Sequence, residues 1–248
     1  VMSLGAVILV FGIFSLFSPA LSSASGAARG VREFDYFLLS LQWPGTLCRS
    51  SRHCCPSNGC CKRSVALDDF TIHGLWPDYN DGTWPACCSN NRFDVKKVSP
   101  LIGKLSKYWP TLSCSSSSNC HGGRGLFWAH EWEKHGTCSS PVIQDEYSYF
   151  STTLDLYFKY NITKVLKGAG FLASNAEKYK LAEISAVIKN STGASPSLVC
   201  SHDTVQELRL CLHKDFTPRD CGILSSTAQD DLDPCPQYIR LPKFTPPS

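Results

Sequence analysis

Residues Phe127–Cys138 read FWAHEWEKHGTC, and four of them can do acid–base or electrostatic chemistry: His130, Glu131, Lys134 and His135. At ~100° per residue, an α-helix gathers these four into one sector of its circumference. His130 then lies beside Lys134, and Glu131 beside His135, at i,i+4 spacing. Two imidazoles, a carboxylate and an ammonium on one face suit proton transfer next to an anionic substrate. The same face would also serve as a solvated amphipathic surface with Trp128 and Trp132 turned to the core. The segment alone does not choose between the two. A zinc site of the H-E-x-x-H type fails on spacing, because Lys134 stands where the second histidine is needed.

A further candidate lies upstream in Asp69–Pro77, DFTIHGLWP. Strand alternation sets Phe70 and Ile72 on one face and Thr71 and His73 on the other. Gly74 releases the strand, and Asp78–Gly82 (DYNDG) is dense in turn residues. His73 is therefore placed to reach a cleft, although a lone histidine is more often structural than catalytic.

The elements that must carry these residues come from patterning. Phe34–Trp43 (FDYFLLSLQW) reads as a buried strand, and Glu207–Leu212 and Tyr238–Leu241 as short strands. Helical spacing predicts helices over Pro100–Tyr108, Asp145–Asn161 and Ala176–Asn190. Cys114–Gly125 is a Ser/Gly loop leading into the histidine segment.

With 248 residues the chain has room for one sizeable domain, and a formal charge of +3 is compatible with a polyanionic substrate without requiring one. No fixed-period repeat argues for a solenoid. Fourteen cysteines indicate a disulfide-stapled protein of an oxidising compartment. Five of them crowd the loop Cys48–Cys61. Zinc binding with His53 is the rival there, but the spacing fits no common zinc pattern. Residues 2–21 carry no charge and small residues follow from Ser22 to Ala28, so 1–28 is expected to be a secretory signal and 29–248 the domain. A retained membrane anchor is the alternative. The positively charged start typical of a signal is missing, and Val1 precedes the only methionine. Asn161-Ile162-Thr163 and Asn190-Ser191-Thr192 are glycosylation sequons, and the end Thr-Pro-Pro-Ser is no ER-retention tetrapeptide.

The segments FTIHGLWP and FWAHEWEKHGTC, set in this cysteine framework, resemble the two active-site motifs of the ribonuclease T(2) family of acid endoribonucleases. The pieces REFDYF, RHCC, HGLWPDYNDG and HEWEKHGTCSSP are closest to plant S-like ribonucleases of the vacuolar housekeeping kind. The chemistry fits the residue types. RNA supplies its own nucleophile, the 2′-hydroxyl, so base, acid and cations suffice and no cofactor or metal is implied.

The resemblance implies an α+β fold, an antiparallel sheet with surrounding helices in one disulfide-rich domain. It implies His135 as base, His73 as acid, His130 as phosphate ligand, and Lys134 and Glu131 as stabilisers of the transition state. Trp76 and Asp78 match positions beside one base site, and Phe127 and Gln42 positions near another. Trp84 stands where an aromatic is usual; core packing is the plain alternative for Trp76 and Phe127. The pairings implied are Cys48–Cys54, Cys55–Cys114, Cys88–Cys138, Cys200–Cys235 and Cys211–Cys221. Cys60, Cys61, Cys87 and Cys120 exceed that framework and are expected to form two more bridges, with Cys87 able to replace Cys88.

The function expected is cleavage of single-stranded RNA, not DNA, by a monomer without stable membrane association, in vacuole, ER lumen or extracellular space. Rivals are a self-incompatibility ribonuclease of the style and a non-catalytic storage or defence protein on the same scaffold.

Overall fold

The first strand explains the rest. In β1 (Tyr36–Gln42) all seven residues are buried, because a neighbour flanks it on each side and both its faces are covered. Phe37, Leu39 and Leu41 face the main core, while Tyr36, Leu38, Ser40 and Gln42 alternate onto the opposite face. The computed structural model describes residues 32–50, 54–61, 67–114, 117–118, 120, 122, 124–221 and 233–246. The expected signal and His53 lie outside the described residues.

Strand β2 (Thr71–Asp78) pairs with one side of β1. On the other side lies β4 (Thr204–Leu212), which pairs in turn with β3 (Ser197–Ser201) and β5 (Pro218–Arg219). The two-residue β6 (Asp233–Pro234) closes the far edge, giving the order β2-β1-β4-β3-β6, antiparallel throughout. This is the α+β, disulfide-rich single domain expected.

Helices cover one face of the sheet. Among the described residues the longer ones are α1 (Ile102–Tyr108), α3 (Glu146–Tyr160), α4 (Ile162–Gly168) and α5 (Leu181–Thr192), while α2 (Phe127–His130) is the first part of the histidine segment. Asp145 caps α3 by accepting from the Ser148 N–H, which explains the start at Glu146. Tyr149, Phe150 and Leu154 of α3 pack with Phe37, Leu39, Leu75, Leu210 and Trp109. Helix α5, expected over Ala176–Asn190, begins at Leu181 because Tyr179 and Lys180 pair as a strand with Tyr238 and Ile239.

Seven disulfides join all fourteen cysteines. Four of the implied pairings are present: Cys55–Cys114, Cys88–Cys138, Cys200–Cys235 and Cys211–Cys221. The implied Cys48–Cys54 is replaced by Cys48–Cys60 and Cys54–Cys61. The cause is the 3₁₀ turn Gly59–Cys61, in which successive side chains point ~120° apart. Cys60 goes inward to meet buried Cys48 beside Leu67 and Leu112, and Cys61 is left for the exposed Cys54. Cys87 pairs with Cys120 and does not replace Cys88; its positive φ of 56° lets the neighbouring cysteines diverge.

Candidate active site

Both candidate segments depart from regular geometry, and each departure aims chemistry at the same place. In β2 the register slips: Ser40 faces Gly74 but Leu41 faces Ile72, so His73 is the extra residue of a β-bulge. Ile72 and Leu75 stay in the core, while His73, Gly74 and Trp76 turn together to the opposite face. The Trp109 indole N–H holds the bulge by donating to the His73 carbonyl at 2.7 Å. A Cβ on Gly74 would run into Trp76 Nε1 and Glu131 Oε2, so only glycine permits this approach.

The histidine segment is not one α-helix. After α2, residues Glu131–His135 form a π-turn, and Gly136–Cys138 a 3₁₀ turn. The Gly136 N–H reaches back five residues to the Glu131 carbonyl, as a π-turn requires. Five-residue recurrence brings His130 and His135 together, their ring centroids 5.9 Å apart, where an α-helix would splay them. The single shared face expected from α spacing is thereby corrected. Glu131 and His135 are buried, and only His130 and Lys134 are partly exposed. Trp132 points the other way, into the core against Tyr149. The Cys88–Cys138 disulfide and the bond from the Cys87 N–H to the Lys134 carbonyl tie the turn down.

Trp76 is the common wall. Its ring lies 4.9 Å from His73 and 5.2 Å from His135, and its indole N–H donates to Glu131 at 2.9 Å. Phe127 stacks on His73 at 5.8 Å. Asp78 accepts from the Tyr36 hydroxyl, and burial pushes its carboxyl up to about 7. Gln42 is buried, with its amide donating to the carbonyls of Ile72 and Pro110. Trp84 stands 41% exposed and makes no ring contact with these residues among those described.

Three participants escape the sequence reading. Glu207 of β4 meets His73 Nδ1 at 2.6 Å and is itself held by Arg209 and by the Ser40 hydroxyl. All three lie in runs that read as strand. The available signal was opposite charge at i,i+2 in ELRLCL and a serine inside FLLSLQ, which strand alternation sends to one face. A second bulge, at Gln206, immediately precedes Glu207.

The electrostatics divide the two imidazoles. Burial acts to lower the His73 pKa, but the charge and hydrogen bond of Glu207 overcome it and hold His73 above the usual histidine value. Burial likewise works against the charge on Glu207, yet His73 and Arg209 keep its carboxyl down at about 2. His135 is displaced the other way. Burial comes first, then the positive fields of Lys134, His130 and His73, and together they hold it well below the usual value. Burial raises Glu131, against the fields of His73, His130 and Lys134 and the Trp76 bond. At one pH the pair can thus offer a charged and a neutral imidazole, the requirement for concerted acid and base. Among the described residues no cluster of His, Cys, Asp or Glu has the arrangement of a metal site.

A bulged strand bearing one histidine, a helix-to-π-turn segment bearing two more, and a stapled antiparallel sheet define a class that the sequence comparisons identify. Residues 34–221 match the Ribonuclease T2 family, and the chain belongs to that family. It is 38% identical to extracellular ribonuclease LE of Solanum lycopersicum over 77% of this chain and 80% of that one. To ribonuclease 1 of Arabidopsis thaliana it is 42% identical, over 75% of each chain. The fold is similar to that of trichomaglin, described as an S-like ribonuclease, with TM-score 0.77 and 46% identity over 86% of this chain and all of that one. The chain is an endoribonuclease of this family, with plant S-like relatives.

Proposed function

We propose that this enzyme cleaves single-stranded RNA by transesterification, with His135 as general base and His73 as general acid. One observation carries the reading. Two histidines from separate elements lie against one indole, one on a buried carboxylate and the other among cations. Neutral His135 takes the 2′-hydroxyl proton, the 2′ oxygen attacks phosphorus, and charged His73 gives its proton to the departing 5′ oxygen. His130 donates an N–H to the phosphate, and the Lys134 ammonium offsets the charge that builds on the phosphorane. Glu131, its other oxygen engaged by Trp76, shares in that network. The 2′,3′-cyclic phosphate is then opened to a 3′-phosphate by water with the two histidines in exchanged roles. Asp78, Trp76, Phe127, Gln42 and Trp84 are the candidate base contacts.

The physiological reading is RNA turnover and phosphate recycling by a monomer of the secretory pathway, in vacuole, ER lumen or extracellular space. The uncharged N-terminal run, the fourteen cysteines and the two sequons support it. Named relatives include an extracellular and an intracellular ribonuclease of Solanum lycopersicum. Among the described residues no helix is long and apolar enough to cross a membrane.

The test uses one RNA dinucleotide and its DNA counterpart, with phosphorus NMR following products. A transient cyclic phosphate from RNA, with DNA untouched and chelator without effect, is the expected outcome. Cleavage of DNA at a similar rate, or loss of activity with EDTA, contradicts the mechanism.

A further inference from the structure

Glu207 does more in this structure than fill a strand position. It is 4% exposed, so its charge is a large liability unless each oxygen is occupied. Oxygen Oε2 accepts from Arg209 Nε at 3.0 Å, from Arg209 Nη2 at 2.9 Å and from Ser40 Oγ at 3.1 Å. Oxygen Oε1 is given to His73 Nδ1. These contacts are fixed by backbone register, since Ser40 faces Arg209 and Gln42 faces Glu207 across the β1–β4 ladder. Bulges lie on both sides of the contact, at His73 and at Gln206, and bulges re-aim side chains.

We propose that Glu207, clamped by Arg209 and Ser40, is the positioning residue of His73: it seats the Nδ1–H tautomer and holds the ring charged for donation from Nε2. The inference rests on the reading of His73 as general acid. In the cleavage step the Nε2 proton passes to the departing 5′ oxygen. The ring is left neutral, still bonded through Nδ1–H to Glu207, with an Nε2 lone pair ready to accept a proton from water in the second step. Arg209 opposes the charge of His73 while it holds Glu207, so it tunes how long the ring stays charged as pH rises. The groups whose fields reach His73 are Glu207 and Arg209 from β4, with Glu131 and His135 from the π-turn. Among the described residues only Glu207 bonds the ring.

The clamp also dictates what a glutamine would do. All three partners of Oε2 donate, so a glutamine turns its carbonyl to them and its NH₂ toward Nδ1. Nδ1 must then accept, which disfavours the charged ring. Removing charge from Arg209, or one donor through Ser40, acts in the opposite sense.

The experiment is kcat/KM against pH on an RNA dinucleotide for Glu207→Gln, Arg209→Gln and Ser40→Ala, with NMR titration of the His73 imidazole in each. Glu207→Gln should lose roughly tenfold or more near pH 7, chiefly in kcat, and recover toward acid pH, its alkaline limb moved to lower pH. Arg209→Gln should move that limb to higher pH, and Ser40→Ala should move it the same way by less. Ser40→Ala removes only one small donor and keeps the test usable if Glu207→Gln does not fold. A loss by the same factor at every pH, with His73 titrating as in the parent, overturns the proposal. Titration of His73 moving while the limb stays put upholds the Glu207 coupling and overturns the acid role of His73 instead.

Discussion

His73 and His135 touch the same indole, yet the regions that carry them work by different physics. The sheet side gives its imidazole a buried carboxylate. Ladder hydrogen bonds on β1 and β4 fix a buried carboxylate, and a bulge turns His73 onto it. The π-turn side instead sets its buried imidazole among cations. Buried His135 Nδ1 has no hydrogen-bond partner among the described residues, and Lys134 and His130 press on it electrostatically. An acid needs a nearby anion and a base needs desolvation, and the protein supplies each from a different kind of element.

The largest effect comes from deleting either ring. His73→Ala and His135→Ala should each lower turnover by at least ~10²–10⁴, with the fold intact by circular dichroism. The double variant should lose far less than the product of the two, because the groups act in one concerted step. Turnover near the parent's in either single variant breaks the comparison.

Gly74 lies against the Trp76–Glu131 bond that joins the two regions, so a methyl there tests their contact rather than either imidazole. Gly74→Ala drives a Cβ into both Trp76 and Glu131. A stability loss of roughly 1–3 kcal/mol by denaturant titration is expected. A fall in kcat should accompany it, since Trp76 and Glu131 must part. An unchanged denaturation midpoint would show that the indole and carboxylate are not packed as described.

A smaller effect should appear in stability against pH, with opposite signs for the two histidines. Raised His73 stabilises the fold fully below 6.5, its ordinary value, and that contribution fades as pH climbs through the folded value. Glu207, depressed to about 2 from 4.5, contributes above 4.5 and loses it as pH falls toward 2. Glu207→Gln should therefore cost most stability between about pH 4.5 and 6.5. Lowered His135 does the reverse: it penalises the fold as pH falls below 6.5, so His135→Gln should relieve part of the acid destabilisation. Parallel stability–pH curves for both variants and the parent would remove the contrast.

How far the sequence carried depends on which physics was local. The nearly unbroken apolar run of FDYFLLSLQW and the helical spacing of Asp145–Asn161 located their elements to within a residue or two, since the strand buries both faces and the helix one stripe. The motif residues of the π-turn were legible by type, but their arrangement was not. Nothing in HEWEKH announces an i+5 hydrogen bond, and α spacing gave one shared face where the turn divides buried from exposed. The His73 bulge is a matter of register between two strands about thirty residues apart in sequence, invisible to a pattern on either one. Glu207, Arg209 and Ser40 were hidden because polar residues in an apolar strand acquire meaning only when a neighbouring strand sets what they face. Cys48 and Cys54 were mispaired on paper for a related reason, since a 3₁₀ turn decides which of the adjacent thiols Cys60 and Cys61 points inward.

The central claim is that one site holds two imidazoles in opposite protonation states at the same pH. Nitrogen-detected NMR of the imidazoles, titrated from pH 4 to pH 9 with His73→Gln and His135→Gln for assignment, measures this directly. The account predicts that His73 titrates with a midpoint above 6.5, with its Nδ1 proton far downfield on Glu207, while His135 remains neutral well below pH 6.5. Titration of His135 at or above the midpoint of His73 would contradict it.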